Sequence, residues 1–340
     1  MPRNPFTSPA RTAVRKANAY LAPKLFGTDV PQKPTRDGYG LGVVEAAKKN
    51  PNILVLCADL TESTRNLEFK KLFPDRFVQM GVHEQLLAAL GAGMALAGKI
   101  PFITSYAMFC PGRAWEQVRT NICLNDVNVK IIGSHAGVSV GPDGATHQAI
   151  EDIAIMRPIP NITIIAPCDA IEARKATVAI SKKVGPCYVR FAREKTPVFT
   201  TKRTPFKIGK AEVFRNGSDV AVIACGPLVY RALQAAEELA KKNIDVLVLN
   251  SHTIKPLDEK AVLAAARKCR AVVTVEEHQI TGGLGGAVAE LLAKKLPTPI
   301  EFVGVPNVFG ESGDPNELVE HFGMGVNSIT NAILTSLKRK

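Results

Sequence analysis

The feature that most constrains the fold is a repeated alternation of short apolar runs with helix-like stretches. After Arg36 the runs NILVLCA, RFVQM, PFITSYA, VKIIGSH, ITIIAP and CYVRF follow one another, separated by segments such as Glu84–Ala97 and Ala170–Lys182 that carry helical spacing. Near-continuous apolar runs of this length suit strands buried on both faces, which requires a mainly parallel sheet covered by helices. The polar stretch from Thr196-Pro197 to Pro205 breaks the pattern. Beyond it a second alternation begins with VAVIACG, a helix from Val229 to Lys241, IDVLVLNS, AVVTVEEH and IEFVGV. The expected fold class is therefore α/β, in two domains, each a mainly parallel sheet flanked by helices. The expected boundaries are 35–200 and 206–340, preceded by a basic, irregular arm over 1–34. Within that arm, Arg11 to Leu21 has the spacing of a short helix.

Composition narrows the functional classes. The chain has 340 residues, enough for two ordinary domains, and its hydrophobic fraction of 46% fits a globular protein. No apolar stretch approaches the roughly 20 residues needed to cross a bilayer, and the Met1 end has no signal-peptide core, so no membrane partner is expected. The seven cysteines are scattered, odd in number and without a C-x-x-C pair. Several lie inside apolar runs, as in LVLCADL and VIACGPL. Buried free thiols and a reducing, cytoplasmic setting are the expectation, with no cysteine metal site. Net charge is +12, and seven basic residues against the single acid Asp29 fall within 1–36. That arm shares the Arg-rich composition of an organellar transit peptide, but a solvated or partner-contacting arm is the preferred reading. The folded body has no basic stripe interleaved with aromatics, so nucleic acid is not expected. Anionic small substrates such as sugar phosphates suit the charge balance.

Two segments carry candidate chemistry. In Met80-Gly81-Val82-His83-Glu84-Gln85, Glu84 opens an apolar helix directly after a strand, where the helix dipole favours a carboxylate. Alone it would be an ordinary helix-start residue. The segment Ser134-His135-Ala136-Gly137-Val138-Ser139-Val140-Gly141-Pro142-Asp143-Gly144-Ala145-Thr146-His147-Gln148 follows the strand VKIIGS, at the carboxyl end where open α/β sheets bind ligands. A turn explains its glycines and its aspartate but not both histidines.

These segments, in order with Y-A-M-F and R-F-A-R-E-K-T-P, resemble the thiamine-diphosphate enzymes, and most closely the C-terminal half of transketolase. Thr35-Arg36 and Ala58-Asp59-Leu60-Thr61-Glu62-Ser63 are also similar to transketolase segments, so the resemblance runs from about Thr35 to the C-terminus. It implies thiamine diphosphate as cofactor, which carries the chemistry of the reaction. It gives Glu84 a catalytic role at the aminopyrimidine ring, favouring the imino form that takes the cofactor's proton. It assigns Tyr106 and Phe109 to packing on that ring, and Asp59 to the cofactor's vicinity. Where transketolases offer a third aromatic, Gly112 stands nearest, implying a thinner platform. The resemblance further carries Asp143 and His147 to the hydroxyls of a ketose donor, with catalytic roles. Arg36, Ser63, His135 and Arg193 are carried to its phosphate, for which arginine offers a charged fork.

Other features are set aside. Gly282-Gly283-Leu284-Gly285-Gly286 lacks the spacing of a dinucleotide fingerprint and fits a tight helix start. Glu276, Glu277 and His278 are adjacent on a strand, so their side chains face opposite ways and cannot form one metal cluster. The G-D-G…N motif that holds Mg²⁺ and the diphosphate in full-length transketolases is not found. The resemblance therefore implies a C-terminal subunit of a split enzyme. It would bind an N-terminal subunit that holds most of the Mg²⁺ site, and self-associate through both of its own domains, as a heterotetramer. Alternatives are a 1-deoxyxylulose-5-phosphate synthase-like protein or a 2-oxo acid dehydrogenase beta subunit, towards which His83-Glu84-Gln85 leans, and a non-catalytic regulatory binding module.

Overall fold

A computed structural model describes residues 20–27 and 29–340. The helix expected over Arg11–Leu21 lies, but for its last two residues, outside them. Among the described residues, eight strands belong to the first half: β1 (Gln32–Pro34), β2 (Ile53–Cys57), β3 (Phe77–Gln79), β4 (Ile100–Tyr106), β5 (Lys130–Ser134), β6 (Thr163–Ile165), β7 (Cys187–Arg190) and β8 (Lys195–Pro197). Six follow: β9 (Glu212–Arg215), β10 (Val220–Ala224), β11 (Val246–Asn250), β12 (Thr253–Lys255), β13 (Val272–Gln279) and β14 (Ile300–Val305).

The apolar runs are the strands of two parallel sheets. The first has the order β12-β6-β7-β5-β4-β2-β3 and the second β14-β13-β10-β11-β9. Only the edge strands β12 and β9 run antiparallel to their neighbours in these sheets. β1 and β8 form a separate antiparallel pair in which Lys33 faces Thr196.

Each sheet is covered by helices. On one face of the first sheet the helices Thr35–Lys49 and Ala170–Lys182 bury Tyr39, Val43, Ala173 and Ile180 against Val55, Phe102 and Val189. On the other face the helix Glu84–Leu96 packs Leu87 and Ala88 against Leu56 and Ile103. That core continues through Ile164 to Leu249, Val262 and Val288 of the second half. The halves are thus joined by a shared core, and β12 places a strand from the second half on the edge of the first sheet. All seven cysteines are buried and free. Among the described residues, no helix is long and apolar enough to cross a membrane.

Candidate active site

Five neighbouring strands, β7-β5-β4-β2-β3, deliver the candidate residues at their carboxyl ends. Asp59 and Ser63 follow β2, Glu84 follows β3, and Tyr106 ends β4. His135, Asp143 and His147 follow β5, and Arg193 follows β7. Arg36 joins them from the first turn of the helix Thr35–Lys49. That turn is tied to the end of β7, since Ala192 N–H donates to Thr35 Oγ1 at 2.7 Å. In a parallel sheet all strand ends of one kind lie on one side, so residues far apart in sequence converge.

Glu84 is only 1% exposed, although it carries a carboxylate. Arg113 Nη1 donates to its Oε2 at 2.9 Å, and Ser105 Oγ to its Oε1 at 3.4 Å. Arg113 lies at the end of a widened helical turn, Met108–Arg113, in which Cys110 leaves helical geometry at φ −128° and ψ 94°. Such turns recur at functional sites. The Arg113 guanidinium also lies over the Phe109 ring, 4.9 Å from its centroid. It therefore stands beside the aromatic pair, directly after Gly112 in the chain.

The aromatic cluster is continuous. Tyr106 stacks on His135 with centroids 3.7 Å apart and lies nearly parallel to Phe109 at 6.2 Å. His147 meets Phe109 edge-on at 5.3 Å, and its Nδ1 is 2.9 Å from Thr146 Oγ1.

Beside this cluster is a cationic group. Arg36 Nη1 donates to the Ser63 carbonyl at 2.9 Å and lies 3.1 Å from His135 Nε2. Burial, then Arg36, Arg193 and Arg65, hold His135 far below its ordinary pKa, so the ring is neutral. Arginine can only donate, so Nε2 must accept. The ring proton is then on Nδ1, which donates to Ser134 Oγ at 2.8 Å. Burial, and next the neighbouring Arg65, also lower the Arg36 pKa. Arg36 Nε is buried with no hydrogen-bond partner among the described residues. Three guanidinium groups thus act on one neutral ring, and an anion there would relieve their mutual repulsion. Asp59 and His135 both adopt φ of 57°, a left-handed conformation that non-glycine residues hold mostly where the surroundings impose it.

Arg193 Nη1 donates to the Val140 carbonyl at 2.7 Å and to Asp143 Oδ1 at 3.2 Å. Asp59 Oδ1 accepts from Gln79 Nε2 at 2.9 Å. Ser63 touches Arg36 through its carbonyl, not its hydroxyl.

Two family models account for most of the chain. One, described as transketolase, pyrimidine binding domain, matches residues 32–198, and the other, transketolase, C-terminal domain, matches residues 209–329. The chain belongs to the transketolase family. This transketolase-family chain is 42% identical over 311 residues to a putative transketolase C-terminal section of Methanocaldococcus jannaschii, covering 91% of this chain and 98% of that protein. It is 40% identical over 305 residues to a 6-deoxy-6-sulfo-D-fructose transketolase subunit of Clostridium sp., covering 90% and 95%. A solved structure described as a split gene transketolase, inactive beta4 tetramer, superposes with a TM-score of 0.84 at 41% identity, covering 90% of this chain and 98% of that one. Membership of the family implies dependence on thiamine diphosphate.

The aminopyrimidine end of that cofactor fits this transketolase-family site on structural grounds. A buried carboxylate at a helix start, beside two near-parallel rings, is suited to a flat heterocycle with a polar edge. Sequence reasoning missed Arg113, the ion-pair partner of Glu84. Its only signal was an arginine directly after Gly112, where an aromatic was sought. Gln79 and Arg65 were also missed. Arg65 Nε pairs with Asp37 at 2.6 Å beside Arg36.

The set-aside features have structural explanations. Glu276 accepts from Leu284 N–H and Gly285 N–H, both at 2.7 Å, so a carboxylate already caps the glycine-rich helix start. Glu277 turns the other way and accepts from Ser139 N–H.

Proposed function

We propose that the chain is the C-terminal subunit of a split transketolase, moving a two-carbon ketol unit from a ketose phosphate to an aldose phosphate when paired with an N-terminal subunit. The observation that carries this reading is the convergence of a buried Glu84, the Tyr106–Phe109 pair and a cationic cluster on adjoining strand ends. Bound thiamine diphosphate would supply the nucleophilic carbon. In this reading Glu84 hydrogen-bonds the aminopyrimidine edge, Tyr106 and Phe109 hold its face, and Asp59 lies nearby with Gln79. Asp143 and His147 take the ketose hydroxyls. Arg36, Ser63, His135 and Arg193 form the phosphate end, where the neutral His135 orients Arg36 rather than adding charge.

The N-terminal subunit would hold the diphosphate and most of the Mg²⁺ coordination. Self-association is supported by the apolar side chains that the helix Glu84–Leu96 and the turn before it leave exposed, Val82, Leu86 and Leu96. It is supported too by the similar solved structure, itself a beta4 tetramer. A heterotetramer would satisfy both associations. The buried free thiols are consistent with a cytoplasmic location, and a ketol transfer between sugar phosphates with the pentose phosphate pathway.

The test is co-purification with an N-terminal subunit of the family, followed by assay with thiamine diphosphate and Mg²⁺. Ketol transfer from a ketose phosphate is expected from the complex and not from the isolated chain. Robust turnover by the isolated chain, or consumption of pyruvate without ketol transfer, would overturn the proposal.

A further inference from the structure

Asp143 and His147 sit on a loop that is shaped from outside its own domain. Ser139 N–H donates to Glu277 Oε1 at 2.7 Å, with both residues buried. Glu277 is itself fixed, because Arg190 Nη1 and Nη2 each donate to its carbonyl at 3.1 Å while Arg190 Nε pairs with Asp152 Oδ2 at 3.0 Å. At the other end of the loop, Gln148 Nε2 donates to the Val138 carbonyl at 3.0 Å and to the Glu311 carbonyl at 2.8 Å.

The glycines repeat the same relation. Gly137 has φ of 89°, and a Cβ there would fall 2.2 Å from Glu277 Oε1. Gly144 has φ of 73°, and its Cβ would fall 2.5 Å from Ser312 Oγ, while Gly141 meets Pro315 Cγ at 2.9 Å. Turn chemistry explains positive φ but not why each missing Cβ faces an atom of the second domain. A loop rich in glycine is also costly to order, so the contacts that hold it decide its shape.

The geometry points to Glu277 as a positioning residue: its carboxylate, presented by the second domain, sets the conformation of the 137–148 loop and thereby the placement of Asp143 and His147. This rests on the reading of those two residues as contacts to the ketose hydroxyls. It gives the second domain a part in substrate binding, through a side chain that itself touches no substrate.

The experiment compares Glu277→Ala with Glu277→Gln. Gln keeps an oxygen for Ser139 N–H and Ala does not. Hydrogen exchange is measured on the isolated chain, and kinetics on the complex with its N-terminal subunit. In Glu277→Ala, exchange across residues 137–148 should rise about five- to tenfold, the loss of roughly one buried hydrogen bond, with peptides of β2 and β4 unchanged. The ketose donor KM should rise by a similar factor of about five to ten, while cofactor affinity stays within about twofold. Glu277→Gln should return both readouts to within about threefold of the parent.

Unchanged loop exchange in Glu277→Ala would overturn the proposal, as would faster exchange with unaltered donor kinetics. A parent complex that moves no ketol unit would refute the functional reading instead. The exchange arm would then still decide whether Glu277 anchors the loop. If Glu277→Ala does not fold, Glu277→Asp, which withdraws the carboxylate from Ser139 N–H by one methylene, must give the same loop-confined exchange, and its failure to do so counts against the proposal.

Discussion

Arg193 separates phosphate recognition from loop support, because it does both in the proposed site. Replacing it with Ala removes the donor to the Val140 carbonyl and the partner of Asp143, whose side chains are 28% and 30% exposed. The ion pair is worth about 0–1 kcal/mol and the bond to the buried Val140 carbonyl, being charge-assisted, about 1.5–3 kcal/mol, but both are lost whichever sugar is bound. A charge-assisted bond to phosphate is worth about 1.5–3 kcal/mol, or roughly 10- to 150-fold. The two contributions are therefore told apart by the substrate, since only a phosphorylated sugar loses the second. The assay compares a phosphorylated sugar with its dephosphorylated counterpart in the reconstituted complex. The expected outcome for Arg193→Ala is a loss on the first, mainly in KM, that exceeds the loss on the second by about 10-fold or more. Arg193→Lys should fall between, since it keeps the charge but loses the fork. Equal losses on both substrates would mean that Arg193 supports the loop only, and the phosphate assignment would fail.

Glu84→Gln should lower turnover of the complex by more than about tenfold, some 1.4 kcal/mol of barrier, with circular dichroism unchanged; retention of more than about a tenth would remove Glu84 from its assigned role. Arg113→Ala leaves a buried carboxylate without its partner, and because Arg113 is itself 50% exposed the cost should be about 1–2 kcal/mol rather than that of a fully buried pair. Denaturant unfolding should show part of that cost recovered in the double variant with Glu84→Gln, and no recovery would mean the pair is energetically silent. Burial pushes the Glu172 carboxyl up to about 7, so the native state holds a proton that the unfolded chain loses near pH 4.5. Its contribution to stability is greatest below that pH and is lost as pH rises to about 7. Thermal melts of Glu172→Gln should gain on the parent across this window, the difference cancelling the opposite slopes from His135 and His252, and a constant difference would refute the burial argument.

The runs that sequence pattern finds are the parallel strands, central or, like β3 and β14, at a sheet edge. NILVLCA, PFITSYA and VAVIACG become β2, β4 and β10 because a central parallel strand must be apolar throughout. β1, β8, β9 and β12 leave no such mark. They are three or four residues long and antiparallel to their partners, and their pairing depends on where the chain is brought by tertiary structure. β12 is the clearest case. Thr253–Lys255 lies outside every apolar run in the pattern, and it forms a strand on the edge that β6 offers beside it.

The same distinction runs through the site. Residues assigned from motifs lie at strand ends, where β–α alternation already forces convergence, so Glu84, Tyr106, His135 and Arg193 meet as a consequence of sheet order. Contacts made across elements are a different matter. Adjacent positions on a strand must face opposite ways, which is enough to deny Glu276 and Glu277 a shared metal. It does not say that one carboxylate caps the helix Leu284–Lys295 while the other holds Ser139 N–H. The second contact depends on β13 passing beside residues 150–154, where Gln279 N–H donates to the Ile150 carbonyl at 2.7 Å and Ala154 N–H to His278 Nε2 at 3.2 Å. Both carboxylates are buried, but Glu276 finds its donors within the second domain, whereas Glu277 reaches Ser139 N–H only because the two domains dock in this arrangement. A change at the domain junction should therefore reach the Asp143–His147 loop through Glu277, whereas Glu84 and Phe109, carried by β3 and β4 and paired through Arg113, are held within the first domain.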